Sequence, residues 1–432
     1  MKTVHSTFPI VRKRHFLLAA VTILLYWTFA AYQLLDSFSF RTSLGSKSPY
    51  PVPNHSPFTP QCKLIQVQLI ARHGIRWWTE GKQSNMFDLV DYIKSNVDPV
   101  KHPRLASLSL PYPKDQAGEL APAGRVELQA FAKRFHDRYS RYGLLNSTVK
   151  VESSNLPRVL DSASVFLDAL RLKAAVDSVE NRQFDADLNP TKACEAYVES
   201  EDSNGAKGQG QIWRDRFIPG LQARLQHILE FDSKQIYTLM DLCASQIALL
   251  DFDRTEGVCY LFEDQDIKNY ELLDDIEKYY ELGYGNSLNG QTACSLLSGI
   301  AYEMKQYKSS DFNRLVLKFT HAETMAPLIT ALGLFKDKFQ LDARLPMSQL
   351  SHRRFITSVV APFMGNVIFE LYECDKETHV KLLVNEVYHA IPGCGKLCSL
   401  IEFNRIYGGL IGCNFDSICN NSIPTNGSWT KY

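Results

Sequence analysis

The run Leu64-Ile65-Gln66-Val67-Gln68-Leu69-Ile70-Ala71-Arg72-His73-Gly74-Ile75-Arg76 is the most informative stretch of this chain. Ile65, Val67, Leu69 and Ala71 alternate with Gln66 and Gln68, the period of a β-strand. Arg72-His73-Gly74 follows directly, so a charged group sits where the strand ends. Two guanidiniums flank one imidazole there. Arginine is always charged and offers a planar fork of donors that matches phosphate oxygens. Gly74 allows a close backbone approach or a positive φ. A neutral imidazole held among such groups can attack phosphorus while the cations stabilise the equatorial oxygens. The bland alternative is a surface basic cluster with an incidental histidine.

A second segment repeats the pattern. Residues 314–320, Arg-Leu-Val-Leu-Lys-Phe-Thr, read as a strand, followed by His321-Ala322-Glu323 and a helix to about residue 332, with Gly333 as its stop. In open α/β sheets, ligands bind beyond the carboxyl ends of strands, and a helix N-terminus there attracts anions. His321 is placed to donate a hydrogen bond to phosphate, and Glu323 to protonate a leaving alkoxide. Alone, Glu323 is an ordinary first-turn acid favoured by the helix dipole, and His321 a satisfied core histidine. Beside a matching Arg-His-Gly-x-Arg element, both bland readings weaken.

Between these segments the pattern predicts an α/β layer architecture. A helix is expected over Pro122–Tyr139, with Pro122 in its first turn and Leu128, Phe131, Ala132, Phe135 and Tyr139 as a core stripe. A strand over 148–152, the loop Ser153-Ser154-Asn155-Leu156-Pro157-Arg158 and a helix over 161–172 come next. Residues 190–292 change character; 236–250 and 265–282 read as helices, so a mostly helical insertion is expected within a core of 61–189 and 293–432. Strands over 366–372 and 380–385 make an antiparallel hairpin.

At 432 residues, 45% of them hydrophobic, the chain can hold one large domain with an insertion. Lys+Arg and Asp+Glu are 47 each, so nothing global suggests nucleic acid, and an anionic substrate must be met by local charge. Arg12, Lys13, Arg14 and His15 precede an apolar run over 16–35, long enough for a membrane span of roughly 20 residues. The positive-inside rule then leaves 1–15 cytosolic and the body lumenal or extracellular, a type II membrane protein. A cleaved signal peptide competes, but Phe29-Ala30-Ala31-Tyr32 matches a cleavage site poorly. Residues 36–60, rich in Ser and Pro, read as a stem. The ten cysteines are an even set, as expected of paired thiols in an oxidising lumen, with the tail after Cys413 pinned by disulfides. Cys394-Gly-Lys-Leu-Cys398 has ligand-like spacing but no partner pair at a zinc interval. Sequons at Asn54, Asn146, Asn420 and Asn426 fit a lumenal glycoprotein.

These motifs together resemble the histidine acid phosphatases, and within them the multiple inositol polyphosphate phosphatase (phytase-like) branch. Arg72-His73-Gly74-Ile75-Arg76 matches the family's nucleophile motif, and Gly118-Glu119-Leu120-Ala121-Pro122-Ala123-Gly124 resembles its Gly-x-Leu-Thr-Pro-x-Gly segment. Ser153-Ser154 to Arg158, with Asp161-Ser162-Ala163, resembles the stretch supplying a third phosphate-binding arginine, and His321-Ala322-Glu323-Thr324 the branch's form of the second motif. The segments starting at Tyr279 and Asn366 also resemble that branch. The resemblance runs from about Gln61 to Cys419. It implies a phosphoglycerate-mutase-like central sheet flanked by helices. It implies His73 as nucleophile, Glu323 as proton donor, and Arg72, Arg76, Arg158 and His321 as phosphate holders. Lys82 becomes a candidate contact to another phosphate, its bland reading being a solvated lysine. No metal or organic cofactor is implied. The partner would be a small phosphorylated substrate, leading with inositol polyphosphates including phytate. A lumenal sugar-phosphate or general acid phosphatase is the alternative, and a non-catalytic binder of phosphorylated ligands the reading from another class. Activity is expected from mildly acidic to neutral pH. One departure stands out: the family's Pro-Thr pair after the second arginine is replaced by Trp77-Trp78-Thr79. That leaves the nucleophile in place and puts substrate preference in question; the aromatics could line, narrow or block the cleft, or be one core and one rim residue.

Overall fold

In the computed structural model, which describes residues 38–53, 61–201, 203–310 and 312–425, the elements that position the site follow in chain order. They are β1 (Lys63–Arg72), α1 (Glu80–Asn96), α2 (Pro122–Tyr139), β2 (Val149–Ser153), α3 (Pro157–Leu170), α4 (Ala206–Leu225), α5 (Ser233–Leu250) and α6 (Asp264–Glu281). After these come α7 (Cys294–Lys305), β3 (Leu315–Thr320), α8 (Ala322–Ala331), β4 (Asn366–Cys374), β5 (Glu377–Val384), β6 (Val387–His389) and β7 (Cys398–Ser399). The sheet order is β2-β3-β1-β4-β5-β6, with β7 on β5. β2, β3 and β1 are parallel; β1 pairs β4 antiparallel, and β4 and β5 form the expected hairpin. Arg72 lies opposite Thr320, and Ser153 opposite Phe319. Three parallel strands therefore end level with one another, where this architecture binds ligands.

One face of the sheet is sealed by α2 and α3. Pro122 starts α2 where its missing N–H costs nothing, and Leu128, Phe131, Ala132, Phe135 and Tyr139 are buried. Phe166 of α3 sits 5.3 Å from Phe131, 5.4 Å from Phe135 and 5.6 Å from Phe319, ring centre to ring centre. α3 starts four residues before the expected point. Pro157 occupies its N1 position, which brings Arg158 into the first turn.

The other face is sealed by α7. The alternation in β1 does not mark a solvated side: Gln66 and Gln68 are fully buried, and their amides donate to Glu303 O (3.3 Å) and Ile300 O (3.0 Å) of α7. Within 190–292 the expected helices at 236–250 and 265–282 correspond to α5 and α6, α4 is an additional one, and no strand lies among the described residues.

The reading of 36–60 as a stem needs correction where it is described. Ser46, Lys47 and Ser48 are buried on the body. Ser46 N and Lys47 Nζ donate to Asp274 of α6 at 2.7 and 2.9 Å, and Tyr50 N donates to Glu127 of α2 at 2.6 Å. Short polar residues read as solvated by composition, yet they also let a backbone lie tightly on a buried carboxylate. A Cβ on Gly45 would lie 2.6 Å from an Asp274 oxygen.

Five disulfides join Cys62–Cys374, Cys194–Cys419, Cys243–Cys259, Cys294–Cys413 and Cys394–Cys398. They pin the tail after Cys413, remove the zinc reading of Cys394 and Cys398, and indicate an oxidising compartment. No helix among the described residues is long and apolar enough to cross a membrane. Residues 1–15, the apolar run 16–35, Asn54 and Asn426 lie outside the described residues.

Candidate active site

The site grows from the three strand ends. His73 N donates to Thr320 O at 3.0 Å and Ser154 N to Phe319 O at 3.0 Å, so the residues after β1, β2 and β3 are bound side by side. The loop after β1 is then clamped onto α2. Ala121 N donates to Ile75 O (3.0 Å) and Trp77 N to Glu119 O (2.9 Å). Close approach explains the glycines: a Cβ on Gly124 would stand 2.1 Å from Ile75 O, and one on Gly74 3.0 Å from Gly124 O.

His73 is 3% exposed, and its Nδ1 lies 2.8 Å from Gly74 O. A carbonyl only accepts, so Nδ1 carries the proton and Nε2 presents a lone pair. Burial first, then Arg72, Arg158, His321 and Arg76, hold its pKa well below the ordinary value, so the ring stays neutral. Its ring lies 5.7 Å from that of His321.

Arg72 stacks on Phe363, 4.5 Å from its ring centre, and its Nη1 donates to Ser46 O and Ala361 O, both at 2.6 Å. Arg76 donates to Trp77 O at 3.0 Å. The Nε atoms of Arg72, Arg76 and Arg158 are all buried without a protein partner. Burial and mutual repulsion press Arg76 down to about 9; for Arg72 burial outweighs the help of Glu323 and Asp274, giving about 10. Three crowded guanidiniums with orphaned donors have the charge and geometry to pair with the oxygens of an anion.

His321 precedes α8 and pairs through Nε2 with Ser154 Oγ at 2.8 Å. Burial keeps it below the ordinary histidine pKa, against the pull of Glu323. Glu323 stands in the first turn of α8 and is exposed. The protein packed around it raises its pKa, but His321, Lys278 and Arg72 more than reverse that, so it is a carboxylate in the free protein.

Six of the seven expected residues, His73, Arg72, Arg76, Arg158, His321 and Glu323, thus share one electrostatic neighbourhood. Lys82 is differently engaged: its ammonium pairs with buried Asp241 at 2.6 Å and lies over Trp78 and Tyr237. Trp77 and Trp78 are both buried, so neither is a rim residue. Lys278 and Arg182, whose charges act on Glu323 and on Arg158 and His321, were not singled out from sequence. Lys278 immediately precedes the Tyr279 segment that carries part of the resemblance, which was the available signal.

The fold and these residues define the class. The chain belongs to the histidine phosphatase superfamily (branch 2), whose profile matches residues 63–385. It is similar to multiple inositol polyphosphate phosphatase 1 of Gallus gallus, 25% identical over 387 residues, covering 83% of this chain and 84% of that one. It is also similar to an acid phosphatase of Schizosaccharomyces pombe, 28% identical over 448 residues and covering 91% and 94%. In fold it matches the crystal structure of the phytase from D. castellii, with a TM-score of 0.80 over 91% of each chain at 19% identity.

Proposed function

We propose that this protein hydrolyses phosphomonoesters through a phosphohistidine at His73, with inositol polyphosphates, phytate included, as its substrates. The observation that carries the reading is the His73–Gly74 O hydrogen bond, which leaves a bare, neutral Nε2 among three guanidiniums. Nε2 attacks phosphorus, the P–O bond to the leaving group breaks, and protonated Glu323 gives its proton to the departing oxygen. Water then attacks the phosphohistidine, Glu323 takes the water's proton, and His73 leaves as neutral imidazole. Arg72, Arg76, Arg158 and His321 hold the equatorial oxygens throughout. Because Glu323 starts ionised, its proton arrives with the substrate: a phosphate dianion brought beside it raises its pKa.

A highly phosphorylated substrate is favoured because the cations exceed what one phosphoryl group needs. Arg182 adds its charge beyond the three guanidiniums, and Lys278, itself ion-paired with Glu281, lies within electrostatic reach of Glu323. The inositol polyphosphate phosphatase similarity supports the same class. The acid phosphatase similarity supports a second reading, a general or sugar-phosphate phosphatase. Lys82, whose side chain is 38% exposed, contacts a further phosphate in this scheme with the ammonium hydrogens that Asp241 does not take. The apolar run before the body serves as a type II anchor. Purified protein is assayed on phytate, a phosphorylated sugar and p-nitrophenyl phosphate, with His73→Ala as control. Phosphate release by the unaltered protein, fastest on phytate and abolished by His73→Ala, is expected. Undiminished release by the variant removes the mechanism, and preference for the sugar phosphate selects the second reading.

A further inference from the structure

The loop between β2 and α3 and the segment before residue 190 contain a buried polar chain that the mechanism above does not use. Ser154 Oγ lies 2.8 Å from His321 Nε2. Asn189 Nδ2 donates to Ser154 Oγ at 2.8 Å and to Asp185 Oδ2 at 2.7 Å, and Asn189 Oδ1 is 3.1 Å from the same hydroxyl. Leu188 N donates to Asp185 Oδ1 at 2.9 Å. Ser154 is fully buried, with Asp185 and Asn189 2% and 4% exposed. The segment is also clamped to the strand end that carries the histidine: Thr320 Oγ1 and Thr324 Oγ1, on either side of His321, both donate to Leu188 O, at 2.7 and 2.8 Å.

We propose that Ser154, oriented by Asn189 and Asp185, is a positioning residue that sets the tautomer of His321. Burial raises Asp185 to about 6, so above that pH its carboxylate only accepts and fixes the Asn189 amide with its nitrogen inward. That nitrogen donates to the Ser154 oxygen, and the hydroxyl's own proton is then directed to His321 Nε2. A neutral His321 consequently carries its hydrogen on Nδ1, and the ring's remaining nitrogen is a donor rather than a lone pair. A donor is what a phosphoryl oxygen requires; a lone pair there would repel it. The same logic fixes metal-binding and catalytic histidines, where the partner of one ring nitrogen decides the role of the other. If the imidazole gains a proton as phosphate binds, Nε2 becomes the donor, and the Ser154 hydroxyl turns to Asn189 Oδ1 without any side chain moving. The inference rests on His321 holding the phosphoryl group in the reaction proposed above.

The test is a double-mutant cycle on the whole protein, with p-nitrophenyl phosphate turnover and inhibition by inorganic phosphate as readouts. Ser154→Ala is expected to lower kcat/KM about tenfold and to weaken phosphate inhibition by a similar factor, one charge-assisted hydrogen bond's worth. In the His321→Ala background the same substitution is expected to have no further effect. A merely structural serine would give the same factor in both backgrounds, and that result overturns the proposal, as does unchanged kcat/KM in the single variant. Asn189→Ala, one step removed from the ring, provides a second cycle should Ser154→Ala not fold; a loss that vanishes without His321 is again required. His73→Ala run in parallel separates the failures: activity surviving in that variant sinks the phosphohistidine reading, whereas its loss beside an indifferent Ser154→Ala sinks only the tautomer argument.

Discussion

Asp274→Ala should damage this protein twice, once in stability and once in catalysis, although the residue touches no candidate catalytic group. Asp274 is 5% exposed and accepts from Ser46 N (2.7 Å), Lys47 Nζ (2.9 Å) and Thr357 Oγ1 (2.9 Å). Removing it strands the Lys47 ammonium, whose side chain is only 11% exposed. Breaking a buried pair this way costs about 3–5 kcal/mol, read as a lowered free energy of urea unfolding. The sign of the pH dependence is fixed. Burial opposes the charge on Asp274, but Lys47, Lys278 and the Ser46 amide lower its folded pKa overall. Its contribution is therefore present above the unfolded value of about 3.9 and lost as pH falls through the folded one. Burial likewise opposes the charge on Lys47, but Asp274 and Asp241 raise its pKa overall. That contribution is present below about 10.4 and lost as pH rises through the raised value. The stability gap should be flat from about pH 5 to about pH 9 and shrink in acid. The catalytic loss follows from position. Ser46 O and Ala361 O, which hold Arg72, belong to the two segments that Asp274 gathers through Ser46 and Thr357. Freeing them should cost kcat/KM roughly 10- to 100-fold. Lys47→Met with Asp274→Asn removes both charges and keeps an acceptor, so it should recover most of both losses. A single variant within about 1 kcal/mol of the parent would refute the reasoning.

Activity should rise as pH falls from about 7 toward about 4, because low pH supplies the protonated Glu323 while the depressed pKa of His73 keeps the nucleophile neutral. Glu323→Gln should lower kcat roughly 10²- to 10⁴-fold and flatten that rise; an unaltered profile in the variant would end the general-acid assignment. Phe166→Ala, at the centre of the α2–α3–β3 ring cluster, should cost about 3–5 kcal/mol of unfolding free energy without shifting the pH profile, checked by urea titration and the same assay.

What could be read from residues alone follows a physical rule. β1, β3 and α2 carry clear periodicities because each has a patterned apolar face, and α2 is even bounded correctly by Pro122 and Tyr139. α7 has no such solvated side to set its apolar residues against: Cys294 through Ala301 are all buried. α4 escaped notice because it has almost no amphipathic pattern and carries Pro219 inside it. The glutamines of β1 keep the strand period and are nonetheless buried, since an amide satisfied by a helix carbonyl is as comfortable in a core as in water.

The same rule divides the site. His73, His321, Glu323 and the arginines advertise themselves, since their chemistry resides in side chains next to strand ends. The groups that aim them are mostly not of that kind. Arg72 is held by the peptide oxygens of Ser46 and Ala361, and His73 by that of Gly74. Any residue type supplies a carbonyl, so no sequence signal marks these anchors. They become visible only through what fixes the backbone that bears them: Gly45 packed on Asp274, Thr357 bonded to it, Gly124 pressed on Ile75. The stretch that composition assigns to a stem is, for this reason, part of the machinery that aims Arg72. A protein beginning at residue 61 would keep every residue of the recognised motifs and still lose one of the two carbonyl anchors of Arg72.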